Sequence, residues 1–256
     1  MNIEEELFVS EIIEYRDEII MDTLKNEVCA KLGEQAWAIL TDGIGVPDID
    51  NEYKCGCKTM REFMRRFDSM TDTETAKTIL TNVRHGLKHS QFDWAREKFA
   101  ESGYNIDTFI ENKYKEDVEY FTHLRDTGGD FYGQPIAKEV YDFIFEQGIL
   151  TDKARKGAEI HITGFPYDMV NYIKETDERK KRYYACHCPF ARESILTEGV
   201  EVSKTLCFCS LGHAKVMWEA VLNVELDGEV VQSVLGGDLI CKYVIYLPDE
   251  IVKKYT

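Results

Sequence analysis

Apolar residues at Ile12, Tyr15, Ile19, Leu24 and Val28 recur among Glu, Asp and Lys at close to 3.6 residues per turn, which predicts an amphipathic helix. The stretch "LTDGIGVPDID" (40–50) interrupts this periodicity with Gly, Pro and Asp. Thr71 followed by Glu74 reads as a capping box that opens another helix. Helical spacing returns in "IDTFIENKYKEDVEYFTHL" and "PIAKEVYDFIFEQGIL", with the turn-rich "DTGGDFYG" between them. Residues 1–150 are therefore expected to be mostly helical.

The period changes after residue 150. In "AEIHIT", Ala158, Ile160 and Ile162 alternate with Glu159, His161 and Thr163, as in a half-buried strand. "KRYYAC" (181–186) is expected to be a second strand. Pro189 suits the first turn of a short helix ending near Gly199, and Ser210 is the expected cap of a further helix through "SLGHAKVMWEAVL". "GEVVQSVL" and "LICKYVIYLP", joined through "GGD", predict a hairpin. The expected class is α+β: a helical region 1–150 and an α+β region 151–256 whose antiparallel sheet is packed by helices, as two parts or one continuous globule.

An apolar share of 44% and an aromatic share of 12% supply enough side chains for a sizeable core. The net charge of −16 repels phosphate backbones and anionic lipid, which argues against nucleic acid or a membrane as the main partner. The one basic run, "ERKKRYY" (178–184), is too short to reverse this. With an acidic start and no apolar run near the length of a membrane span, a cytoplasmic protein is expected. Its eight cysteines are then reduced thiols rather than a disulfide framework.

The thiols carry the candidate chemistry. "CHCP" supplies Cys186, His187 and Cys188, and "CFCSLGH" supplies Cys207, Cys209 and His213. Both pairs are expected where the chain enters a helix, so that backbone N–H groups and the helix dipole favour thiolate. Cys186, Cys188, Cys207 and Cys209 are then candidate zinc ligands. Alternatively, Cys188 or Cys209 is a nucleophile with His187 or His213 as its base. Packing is the third reading, because cysteine is among the most buried residue types. "KCGCKTM" and "RHGLKH" offer a second set, Cys55 and Cys57 with His85 and His89 four apart on one expected helix face. Cys29 falls on the first helix and reads as core. No Gly-rich phosphate loop and no Gly-x-Ser-x-Gly elbow is present.

From the segment before Cys186 to Leu247 the chain resembles the 4-vinyl-reductase-type ligand-binding domain and related 2-amino-thiazoline-4-carboxylate hydrolase-like proteins. The carrying stretch is "VVQSVLGGDLICKYVI" (230–245), where Gly237, Asp238, Cys241 and Tyr243 match. Ser233 and Val230 depart from it, standing where that family often has a cysteine and a glutamate. The resemblance implies a domain that binds small, often aromatic ligands and holds zinc with cysteines, the last of them Cys241. Tyr183, Tyr184, Phe190, Phe208 and Trp218 are its candidate cavity aromatics, with ordinary core packing the preferred reading for most of them. The expected function is a small-molecule-binding protein with a cysteine-rich zinc site. The alternative is a cysteine- or zinc-dependent hydrolase of a small thiazoline-like or amide substrate. Redox cycling of paired thiols ranks last, because no Cys-x-x-Cys occurs.

Overall fold

The computed structural model describes residues 16–150 and 155–256. Among the described residues the N-terminal helices are α1 (Arg16–Leu32), α2 (Glu34–Thr41), α3 (Ile49–Cys55), α4 (Lys58–Met70) and α5 (Thr73–Val83). Then follow α6 (Asp93–Glu101), α7 (Ile106–Thr127), the short hairpin β1 (Asp130–Phe131) and β2 (Gln134–Pro135), and α8 (Lys138–Glu146). The last part holds β3 (Arg155–Lys156), β4 (Glu159–Thr163), α9 (Met169–Lys174), α10 (Glu178–Ala185), α11 (Phe208–Leu222), β5 (Asp227–Gln232), β6 (Lys242–Tyr246) and α12 (Asp249–Tyr255). The chain is α+β, mostly helical, with one four-stranded antiparallel sheet in the order β3-β4-β6-β5.

The helical periodicity of the first 150 residues and the strands at 159–163, 227–232 and 242–246 agree with the sequence pattern. Ile12 and Tyr15 of the first stripe lie outside the described residues; Leu24 and Val28 are buried, whereas Ile19 is exposed.

Four local expectations are corrected. The segment expected as a strand at 181–186 belongs to α10, because Asp177 caps it by accepting the Lys180 N–H at 2.9 Å and "ERKKR" is a run of good helix formers. Asp72, not Thr71, caps α5, accepting the Thr75 N–H at 2.7 Å, while the Thr71 hydroxyl donates back to Phe67 O. Ser210 lies inside α11, which continues a 3₁₀ turn (Lys204–Cys207) that Ser203 caps. After Pro189 the chain makes a turn and then a 3₁₀ segment (Arg192–Ile195) rather than one helix to Gly199.

Two compact units make up the chain, each from two stretches. The first, Met1–Lys88 with Cys188–His213, has a core of helix side chains: Val28, Leu40, Phe63, Met64, Phe67 and Ile79 are fully buried. α1 packs on α2 and α5. The second, His89–His187 with Ala214–Thr256, contains the sheet. Ile160 on β4 is paired with Ile245 on β6, and both bury their side chains against Phe109, Trp218 and Leu222 of the covering helices. A second cluster joins Phe121, Val140, Ile144, Ile149 and Met169. Arg155 on β3 grips Asp107 of α7 through two hydrogen bonds of 2.8 and 2.6 Å.

Candidate functional site

The thiols divide between the two units. Cys55, Cys57, Cys188, Cys207 and Cys209 belong to the first, with His85 and His213; Cys186, Cys241 and His187 belong to the second, with His89. Cys186 does not open a helix but closes one: its N–H bonds back to Arg182 O and Tyr183 O at the carbonyl end of α10. That is the negative pole of the helix, opposite in sign to the one a thiolate prefers. Cys188 starts the turn that runs through Pro189, its carbonyl accepting the N–H groups of Ala191 and Arg192 at 3.1 and 2.9 Å. Cys207 ends the 3₁₀ turn and Cys209 lies within the first turn of α11, both buried. His187 donates through Nε2 to Phe165 O at 2.6 Å and sets its ring against Tyr167. Cys241 stands one residue before β6, with its carbonyl on Gly164 N–H, and burial pushes its thiol up.

Cys57 is fully buried, and burial lifts its thiol to about 12, so it stays a neutral thiol at physiological pH. Among the described residues no three His, Cys, Asp or Glu side chains are grouped to hold a metal ion.

The residues that do gather in the first unit are Ser210, His213 and His85. Ser210 and His213 are three residues apart on α11 and so share a face. His85 Nε2 lies 3.5 Å from Ser210 Oγ, and the His85 and His213 rings are 4.8 Å apart, tilted by 30°. Such a length is at the long limit of a hydrogen bond, as nucleophile–base pairs often are before a substrate tightens them.

Two unusual backbone features build this arrangement. The α5 helix stops at Val83, and Arg84, His85 and Gly86 follow with φ of 50°, 52° and 78°. Three successive left-handed residues form a turn that L-residues avoid, at a cost of about 1–2 kcal/mol for each non-glycine member. This turn separates His85 from His89, so the two do not share a helix face as expected. The second feature is Gly212, where a Cβ would come within 2.0 Å of Thr81 O. Backbone touches backbone there, and only glycine lets α11 approach the end of α5 so closely.

In the second unit His89 opens a 3₁₀ turn (His89–Phe92) and faces Glu219 of α11, with Nε2 at 3.4 Å from Oε2. The Glu219 side chain is 0% exposed. Its Oε1 takes hydrogen bonds from Lys215 Nζ at 3.0 Å and from Leu226 N–H at 3.1 Å.

Sequence reasoning named His213, and it placed His85 and His89 in a set with Cys55 and Cys57. It gave Ser210 only the part of a helix cap and did not single out Lys215 or Glu219. The i, i+3 and i, i+4 spacings on α11 were visible; the partners across the chain were not.

The chain matches no protein-family model, no curated protein and no solved structure. Among the described residues no helix is long and apolar enough to cross a membrane.

Proposed function

We propose that the protein is a cytoplasmic hydrolase of small, uncharged esters or amides, with Ser210 as nucleophile and His85 as its base. The observation that carries this reading is the left-handed turn at Arg84–Gly86 holding the His85 imidazole against the Ser210 hydroxyl. Strained non-glycine backbone persists where surrounding contacts enforce it, and it concentrates at functional sites. His213, whose ring lies 4.8 Å away and tilted by 30°, limits how the His85 ring can turn.

In the reaction, Ser210 Oγ bonds to the acyl carbon while its proton passes to His85 Nε2. The leaving oxygen or nitrogen departs with that proton. Water then adds to the acyl-serine, gives a proton to the same imidazole, and frees the acid and Ser210 as the proton returns to Oγ. Base assistance of this kind contributes about 10²–10⁴-fold. The net charge of −16 favours neutral over anionic substrates. A small amide or thiazoline-like acyl compound agrees with the hydrolase group that the C-terminal stretch resembles. The eight cysteines, none of them in a disulfide, suit a reducing compartment.

A fluorophosphonate probe tests the assignment, because it forms a bond to serine only when a base activates the hydroxyl. We expect mass spectrometry to place the label on Ser210, and His85→Asn to slow labelling by about 100-fold. Asn tolerates the left-handed conformation, so that variant should fold. Cys188→Ser and Cys209→Ser should label at the native rate. Equal labelling of native and Ser210→Ala protein, or loss of labelling on removing Cys209, overturns the reading.

A further inference from the structure

The clamp around Leu226 accounts for only part of Glu219. Lys215 Nζ donates to Leu226 O at 2.6 Å while Glu219 Oε1 accepts the Leu226 N–H, so one lysine and one glutamate hold both polar atoms of a single residue's backbone. The 3.0 Å Lys215–Glu219 contact keeps the two buried charges balanced. That arrangement fixes the chain between α11 and β5, and it uses Oε1 alone.

The other oxygen, Oε2, is directed at His89. Whereas the carboxylate is wholly buried, the His89 side chain is 35% exposed. A buried carboxylate behind a partly exposed imidazole does two things. It accepts Nε2–H, which selects the tautomer with Nδ1 as the basic atom, and it offsets positive charge when Nδ1 takes a proton. The Lys215 ammonium, 3.0 Å from Oε1, holds the buried carboxylate in place, as solvent does not hold a surface glutamate.

We infer that His89, positioned by Glu219, is a second basic centre of the protein, one that activates water toward small uncharged acyl compounds. The water oxygen bonds to the carbonyl carbon as its proton moves to Nδ1. The same proton then goes to the leaving oxygen as the carbon–oxygen bond breaks, so ester and water yield acid and alcohol with the imidazole restored. The centre stands on observations independent of Ser210.

The experiment uses full-length Ser210→Ala protein and 4-nitrophenyl acetate, so that the outcome does not depend on the serine. This background should hydrolyse the ester above the buffer rate, and adding His89→Gln should remove about 100-fold of that excess, the low end of general-base assistance. His89→Ala should lose it too, and imidazole added to the buffer should restore it, which a purely structural role of His89 would not show. Circular dichroism checks that both variants are folded. No excess rate in the Ser210→Ala protein overturns the inference, as does an undiminished rate in His89→Gln or a failure of imidazole to rescue His89→Ala.

Discussion

Glu52 turns a carboxyl group into the interior of the helical unit. It is 0% exposed; Oε2 accepts the Met60 N–H at 3.2 Å, while Oε1 has no hydrogen-bond partner. Beside it lies the neutral thiol of Cys57. Burial raises the Glu52 pKa, with the Met60 and Thr59 hydrogen bonds opposing that rise and the Asp48 charge adding to it. The folded state therefore holds this proton more tightly than the unfolded chain does. The stability it confers is complete below the unfolded value, about 4.3, and declines as pH rises from there through the folded value. Glu52→Gln keeps the acceptor for Met60 and removes the titration. Urea unfolding should show it more stable than the native protein at pH 7, by about 1 kcal/mol or more, with the difference vanishing near pH 4. A variant less stable at pH 7 would mean that the ionised carboxylate has a partner worth more than its burial costs.

Elements meet the reactive groups at one close crossing, Gly212 of α11 on Thr81 of α5. Since a Cβ at that position strikes backbone rather than a movable side chain, Gly212→Ala must push the two helices apart. We expect a loss of about 3 kcal/mol, the upper end of overpacking costs. A slower fluorophosphonate reaction should accompany it, because Ser210 recedes from the His85 turn. An alanine variant with native stability would show that the helices part without cost. This crossing also explains what the sequence made legible. Periods of 3.6 and 2 located the helices and the three longer strands, since burial imposes those periods on Ile160, Ile245, Leu24 and Phe63 alike. They could not show that α10 is a helix, because in "KRYYAC" both periods fit and the deciding Asp177 cap lies outside the segment. Nor could they reveal the site. Ser210 and His85 are 125 positions apart. Their meeting depends on two non-glycine residues in left-handed backbone, a conformation that local preference argues against. The cysteine pairs drew attention by composition, while the groups that converge were ordinary residues on a helix face.

Charge acts over longer distances than any of these contacts. With 47 acidic and 31 basic residues, the excess of 16 negative charges cannot all be paired, and their mutual repulsion opposes compaction. Exposed ion pairs between residues close in sequence, such as Arg96–Asp93 and Lys115–Glu111, contribute little to stability. Salt weakens both effects, but not equally. At about 0.01 M the screening length is about 30 Å, long enough for repulsion across a domain, and at 0.15 M it falls to about 8 Å. Contacts of 3–4 Å survive that change better than repulsion between distant carboxylates does. The buried Lys215–Glu219 pair, shielded from solvent, should scarcely respond. Raising NaCl from about 0.01 to 0.15 M should therefore increase the melting temperature, by a few degrees if about 1 kcal/mol of repulsion is relieved. Differential scanning calorimetry at fixed pH measures this directly. A melting temperature that falls with salt would mean that the surface ion pairs outweigh the excess negative charge, and the preference for uncharged substrates could not then rest on a repulsive field around the protein.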